Sequence, residues 1–174
     1  MKASFATLGI LAVASAAPAS RQALEHGVKY DHAQVAWAWQ PGSANIAGDA
    51  DWKWGGKRWP CSSADLVPSS DYADETFRRV YGNTTFARTT PGKLLGYFRS
   101  HDAAFEQDKF TAQCDKTGRF EFNRVANGKY YVTVMFSGST RTNVGLLRNT
   151  AQELVFKQVT VVDGQDISVD LHDS

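Results

Sequence analysis

The chain has 174 residues, 43% hydrophobic and 21% charged, with a formal net charge of +1 at pH 7 and two cysteines. That length suits one domain with a real core and leaves little room for a second. A charge so close to zero, with no extended basic run, speaks against nucleic acid as a partner, because that binding rests on a concentrated basic surface that releases counterions.

The chain opens MKASFATLGILAVASAAPAS: one Lys, a short apolar run, then small residues in an A-x-A-like pattern at Ala14-Ser15-Ala16. Residues 1–19 are therefore expected to be a secretory signal peptide. The apolar run falls short of the roughly 20 residues a span needs, so the mature chain is expected to carry no membrane span. An exported protein, periplasmic or secreted, follows. In an oxidising compartment Cys61 and Cys114 are expected to form a disulfide. Neither has His or Cys beside it at metal-ligand spacing.

Residues 20–33 are polar and without period, an exposed leader. Trp37 and Trp39, and again Trp52 and Trp54, lie two apart, which places each pair on one face of an extended strand. Residues 20–40 thus read as leader and possible first strand, and 41–174 as the domain. Cys61–Pro68 is a short strand closed by proline. The period then changes. Ala73, Phe77, Val80 and Tyr81 share one face of a helix over about 71–81, with Asp71 as N-cap and Gly82 as terminator. Pro91-Gly92 marks a turn, and Asn83-Thr84-Thr85 matches a glycosylation acceptor pattern that matters only in a host with that pathway.

From Lys109 onward the pattern is β: KFTAQC, RFEFNRV, KYYVTVMF, ELVFKQVTVV and DISVDL alternate and are separated by turn residues. Asn127-Gly128 and Asp163-Gly164 predict hairpins. Phe120, Phe122, Tyr130 and Val132 are expected in the core, with Arg119, Glu121 and Thr133 facing the other way. The expected fold is mainly β, an antiparallel sandwich with one short helix near 71–81.

These residues also carry a resemblance. The run DKTGRFEFNRVANGKYYVTVMF fits D-x-x-G-x-F-x-F-x-x-V-x-x-G-x-Y-x-V through Asp115, Gly118, Phe120, Phe122, Val125, Gly128, Tyr130 and Val132. Val159, Val161, Gly164, Val169 and Leu171 fit the strand pair that follows, and GSANIAG (42–48) fits an opening strand. Over about 42–172 the chain resembles the carboxypeptidase regulatory-like, or transthyretin-like (prealbumin-like), domain, in a bacterial exported subgroup. The resemblance implies a Greek-key sandwich of about seven strands and says almost nothing of activity.

Reactive constellations are sparse. His26, His32, His101 and His172 are scattered, and Asp49-Ala50-Asp51 opens like a calcium loop but has Trp54 where a Gly is needed. No nucleophile elbow, P-loop or H-E-x-x-H occurs. The chain also lacks the C-terminal Tyr-Arg-Gly-Ser of the family's ureide hydrolase branch, ending instead Leu171-His172-Asp173-Ser174. No catalytic residue, metal or cofactor is expected. Five tryptophans fall within 23 residues, and Trp52, Trp54 and Trp59 are the candidate binding surface. The leading expectation is a non-enzymatic exported module with an interaction or structural role in the cell envelope, its partner an envelope protein or a glycan. The alternatives are a carbohydrate-binding module using Trp52, Trp54 and Trp59, and a small hydrolase built around His101 or a Cys61 thiolate.

Overall fold

The computed structural model describes residues 27–89, 102–141 and 148–172. The expected signal peptide, residues 20–26 of the leader, His101 and the Pro91-Gly92 turn lie outside them. In chain order the regular elements are β1 (Ala44–Asp49), β2 (Asp51–Trp54), β3 (Lys57–Pro60), β4 (Ser63–Pro68), α1 (Asp71–Tyr81), β5 (Phe86–Thr89), α2 (Ala103–Gln107), β6 (Phe110–Gln113), β7 (Arg119–Val125), β8 (Gly128–Arg141), β9 (Arg148–Val161) and β10 (Ile167–Asp170). The chain is mainly β. A five-stranded antiparallel sheet in the order β5-β9-β8-β4-β6 faces a three-stranded sheet in the order β10-β1-β7, and β2-β3 form a separate hairpin.

One core fills the space between the layers. Ile46, Phe120, Phe122 and Val169 from the small sheet meet Leu66, Tyr130, Val132 and Val155 from the large one. The large sheet is covered on its other face too, where α1 lies across Tyr131 and Phe156 with Phe77 stacked 3.9 Å from Tyr131. This explains why β8 reads as a nearly continuous apolar run over 130–136: Tyr130, Val132, Val134 and Phe136 belong to the inner core and Tyr131 packs under the helix, while Met135 stays exposed. Thr133 faces away from the inner core as expected, yet is only 3% exposed because of that second layer.

Several sequence expectations are corrected by this layering. The stretch from Gly118 to Phe136 is not a hairpin: β7 pairs with β1, whereas β8 pairs with β4 and β9. A flat hairpin would set Phe120 and Phe122 beside Tyr130 and Val132 on one face, while crossing between layers lets the two sets bury each other across the core. Asp163-Gly164 also serves a crossover, because β10 leaves the large sheet and pairs parallel with β1. The true long hairpin is β8–β9, running from Gly128↔Val161 to Arg141↔Arg148 through residues whose polarity reads as loop. Ten strands and a second helix, α2, are present among the described residues, against the expected seven strands and single helix.

Helix α1 forms where predicted, but Ser70 rather than Asp71 is the N-cap, its hydroxyl accepting from Ala73 N at 3.1 Å. Gly82 ends the helix in the left-handed conformation at φ 82°. The segment carrying Trp37 and Trp39 is not a strand either. It forms two 3₁₀ turns, His32–Gln34 and Ala36–Trp39, started by the Asp31 carboxylate accepting from Ala33 N at 2.9 Å. At three residues per turn, positions two apart diverge by about 120°, so the two indoles point to different surroundings.

Candidate functional site

The tryptophans separate by location. Trp37 packs edge-on against Tyr130, 5.1 Å away, over the beginning of β8. Trp52, Trp54 and Trp59 gather over its far end. Gly55 and Gly56, both at positive φ (59° and 72°), close the tight β2–β3 turn and put Trp52 directly opposite Trp59. Trp52 and Trp54 stack at 5.6 Å, and Trp59 Nε1 donates to the Trp54 carbonyl at 3.1 Å. All three indoles sit on Gly138, where a Cβ would come within 2.8 Å of Trp54 and 3.2 Å of both Trp52 and Trp59. Trp52 is only 8% exposed and belongs to the core, while Trp54 and Trp59 are half-buried against it. The three indoles are thus brought together over Gly138, where they cover the end of the sandwich. The Gly-Gly turn between two aromatic runs was a readable hairpin signal that period counting alone passes over.

Trp39 is the exposed indole, at 48%. Its ring lies 4.6 Å from Phe110 at the start of β6, and its Nε1 donates to Asp108 Oδ1 at 3.2 Å. Asp108 collects further donors: the Tyr30 hydroxyl bonds its carboxylate and His32 Nδ1 lies 2.7 Å from it. Burial alone would raise the Asp108 pKa, but the hydrogen bonds from Tyr30, His32 and Trp39 outweigh it and hold the carboxyl below its ordinary value. Burial, then the bond to Asp108, pushes the Tyr30 phenol well above its ordinary value. This cluster straps the N-terminal segment to the domain.

Beside that strap the sandwich is open. β6 and β7 are the edge strands of their sheets. They are joined at one end by the Asp115–Gly118 turn, fixed by the Asp115 carboxylate accepting from Thr117 N at 2.7 Å and Arg119 N at 3.0 Å. Those bonds, with the one from the Thr117 hydroxyl foremost, hold the Asp115 pKa low. Away from the turn the edges part and leave a cleft of about 820 Å³. Phe110, Leu66, Phe120 and Phe122 contribute its apolar side; Gln113, Glu121 and Asn123 give it hydrogen-bonding groups. This is a volume in the range of small-ligand sites, with the apolar and polar mixture they show. Gln113, Glu121, Asn123 and Arg124 did not stand out as site candidates in the sequence, since each reads as ordinary strand alternation.

The remaining candidates resolve simply. Cys61 and Cys114 form the expected disulfide, with Cα atoms 5.8 Å apart, tying the start of β4 to the end of β6. A Cys61 thiolate nucleophile is thereby removed. His172 lies between Asp49 and Asp51, with Nδ1 2.7 Å from Asp51 Oδ2, and Arg58 pairs with the same buried Asp51. Among the described residues no group of three or more His, Cys, Asp or Glu side chains is arranged to hold a metal. No described helix is long and apolar enough to cross a membrane.

The fold and site define a class: a mainly β chain with two facing sheets, stapled by one disulfide, and a mixed apolar and polar cleft along an open edge. No family model matches the chain, and no curated protein does. Among solved structures it is similar to a "putative carbohydrate binding protein" from Pseudomonas aeruginosa, with a TM-score of 0.62 and 20% identity, covering 84% of this chain and 99% of that one. At that identity the likeness shows a shared fold.

Proposed function

We propose that the protein is an exported, non-catalytic glycan-binding module, and that its site is the β6–β7 cleft rather than the Trp52, Trp54 and Trp59 cluster. One observation carries this reading: a cleft of about 820 Å³ at the β6–β7 edge is lined both by apolar residues, Leu66, Phe110, Phe120 and Phe122, and by the hydrogen-bonding residues Gln113, Glu121 and Asn123. Sugars present hydroxyl groups around the ring edge and apolar C–H faces, so a site for them needs both kinds of surface. The exposed Trp39 indole at the Phe110 end adds a stacking face. The carbohydrate description of the similar structure supports the same reading. The Cys61–Cys114 disulfide supports export, and the transthyretin-like kinship remains part of the proposal.

The test is titration of the disulfide-intact domain against defined neutral and acidic oligosaccharides, followed by calorimetry and tryptophan fluorescence. Glu121→Ala and Asn123→Ala, both exposed positions, should weaken binding at least tenfold with Tm unchanged. Absence of binding to every saccharide overturns the reading. Binding that survives both changes but is lost in Trp54→Ala overturns the placement and moves the site to the β2–β3 hairpin.

A further inference from the structure

The small sheet contains an irregularity where β7 pairs with β1. Along β7, Phe120 and Phe122 point to the core, and strict alternation would send residue 124 after them. Instead the pairing jumps from Ile46↔Phe122 to Ala44↔Val125, so Asn123 and Arg124 together face Asn45 in a β-bulge. Val125 returns to the core at 7% exposure, and Arg124 is turned outward to line the cleft. Arg124 adopts φ 58°, a left-handed conformation that costs a residue with a Cβ and costs glycine nothing. The surroundings enforce it. Gly42 N donates to the Arg124 carbonyl at 2.8 Å, and Gly42 approaches so closely that a Cβ there would lie 1.8 Å from the Val125 carbonyl oxygen.

A glycine at 124 would satisfy this backbone better, so what the position gains from arginine is the guanidinium. Among the described residues no carboxylate pairs with it. The charges of the cleft are also unevenly placed: Asp49, Asp115 and Glu121 accompany Arg119 toward the closed end, whereas Arg124 stands at the open end. A carboxylate-bearing ligand is therefore oriented with its acid toward the opening.

We infer that the cleft selects an acidic saccharide, with Arg124 as the specificity-determining residue that receives a uronate carboxylate through its planar pair of N–H donors. This rests on the glycan-binding reading above. The experiment compares oligomers of glucuronate, galacturonate and mannuronate with their carboxyl-reduced counterparts, for the intact domain, Arg124→Gly, Arg124→Lys and Arg119→Gln. At least one acidic oligomer should bind ten or more times tighter than its reduced form, with the preference lost in 0.5 M NaCl, which screens exposed charge. Arg124→Gly should bring that ratio to about one and leave Tm no lower than the parent; Arg124→Lys should restore only part of it. A ratio near one in the parent, or a preference abolished by Arg119→Gln and kept by Arg124→Gly, overturns the inference while leaving glycan binding standing. Failure of both acidic and reduced oligomers to bind overturns the underlying reading instead.

Discussion

Replacing Gly128 by alanine tests how the N-terminal segment is held. Gly128 has φ 152°, and a Cβ there would lie 2.1 and 2.2 Å from two Trp37 ring atoms. Two costs follow. The backbone cost of forcing an alanine into that conformation is about 2 kcal/mol. The steric cost is the displacement of Trp37 from Tyr130, which exposes about 100 Å² of indole at about 25 cal/mol/Å², or about 2.5 kcal/mol, and loses an edge-on aromatic contact of about 1 kcal/mol. Reduced freedom of the unfolded chain returns about 0.7 kcal/mol. Gly128→Ala should therefore cost about 5 kcal/mol, Trp37→Ala about 3.5 kcal/mol, and the double variant only about 5 kcal/mol, since an absent ring cannot be displaced. Urea unfolding followed by far-UV circular dichroism reads all three. Additive costs in the double variant, near 8.5 kcal/mol in sum, or a Gly128→Ala cost below about 1 kcal/mol, would refute the reasoning.

Two further outcomes are expected. The disulfide closes a loop with a sequence separation of 53 residues, so the Cys61→Ala, Cys114→Ala double variant should lose about 4 kcal/mol by the chain-entropy argument. That corresponds to a Tm drop of about 8–16 °C by differential scanning calorimetry, and a drop under about 3 °C would contradict it. The depressed pKa of Asp108 gives a pH dependence of definite sign: its contribution is present above the unfolded carboxylate value near 4 and is lost as pH falls below it. Between pH 6 and pH 3 the Tyr30 to Trp39 segment should loosen, read by Trp fluorescence and acid-stable protease cleavage, and Asp108→Asn should show the loosened state already at pH 6.

Much of the fold was legible in the sequence because alternation and turn chemistry are local. The inward residues of β7 and β8, the amphipathic face of α1 and its Gly82 terminator were read from spacing alone. The disulfide followed from two cysteines and the expectation of an oxidising compartment. What was misread depended on partners distant in the chain. Period two at Trp37 and Trp39 fits a strand, but Asp31 capping and the separate pockets at Tyr130 and Phe110 select 3₁₀ turns. The spacing of Phe122 and Val125 held the trace of the bulge, yet only the register against β1 shows that Arg124 is the extra residue.

The sequence by itself determined the local elements, the apolar faces and the covalent staple, since these depend on neighbours a few positions apart. Which strands pair was decided by tertiary structure: Asn127-Gly128 and Asp163-Gly164 can close a hairpin or a crossover, and burial on both faces of β8 favours the crossover. The same layering decided the fate of the tryptophans, spending Trp52, Trp54 and Trp59 on the glycine floor at Gly138 and leaving Trp39 in solvent. It also created the cleft, because an opening between two sheets belongs to no single segment of the chain.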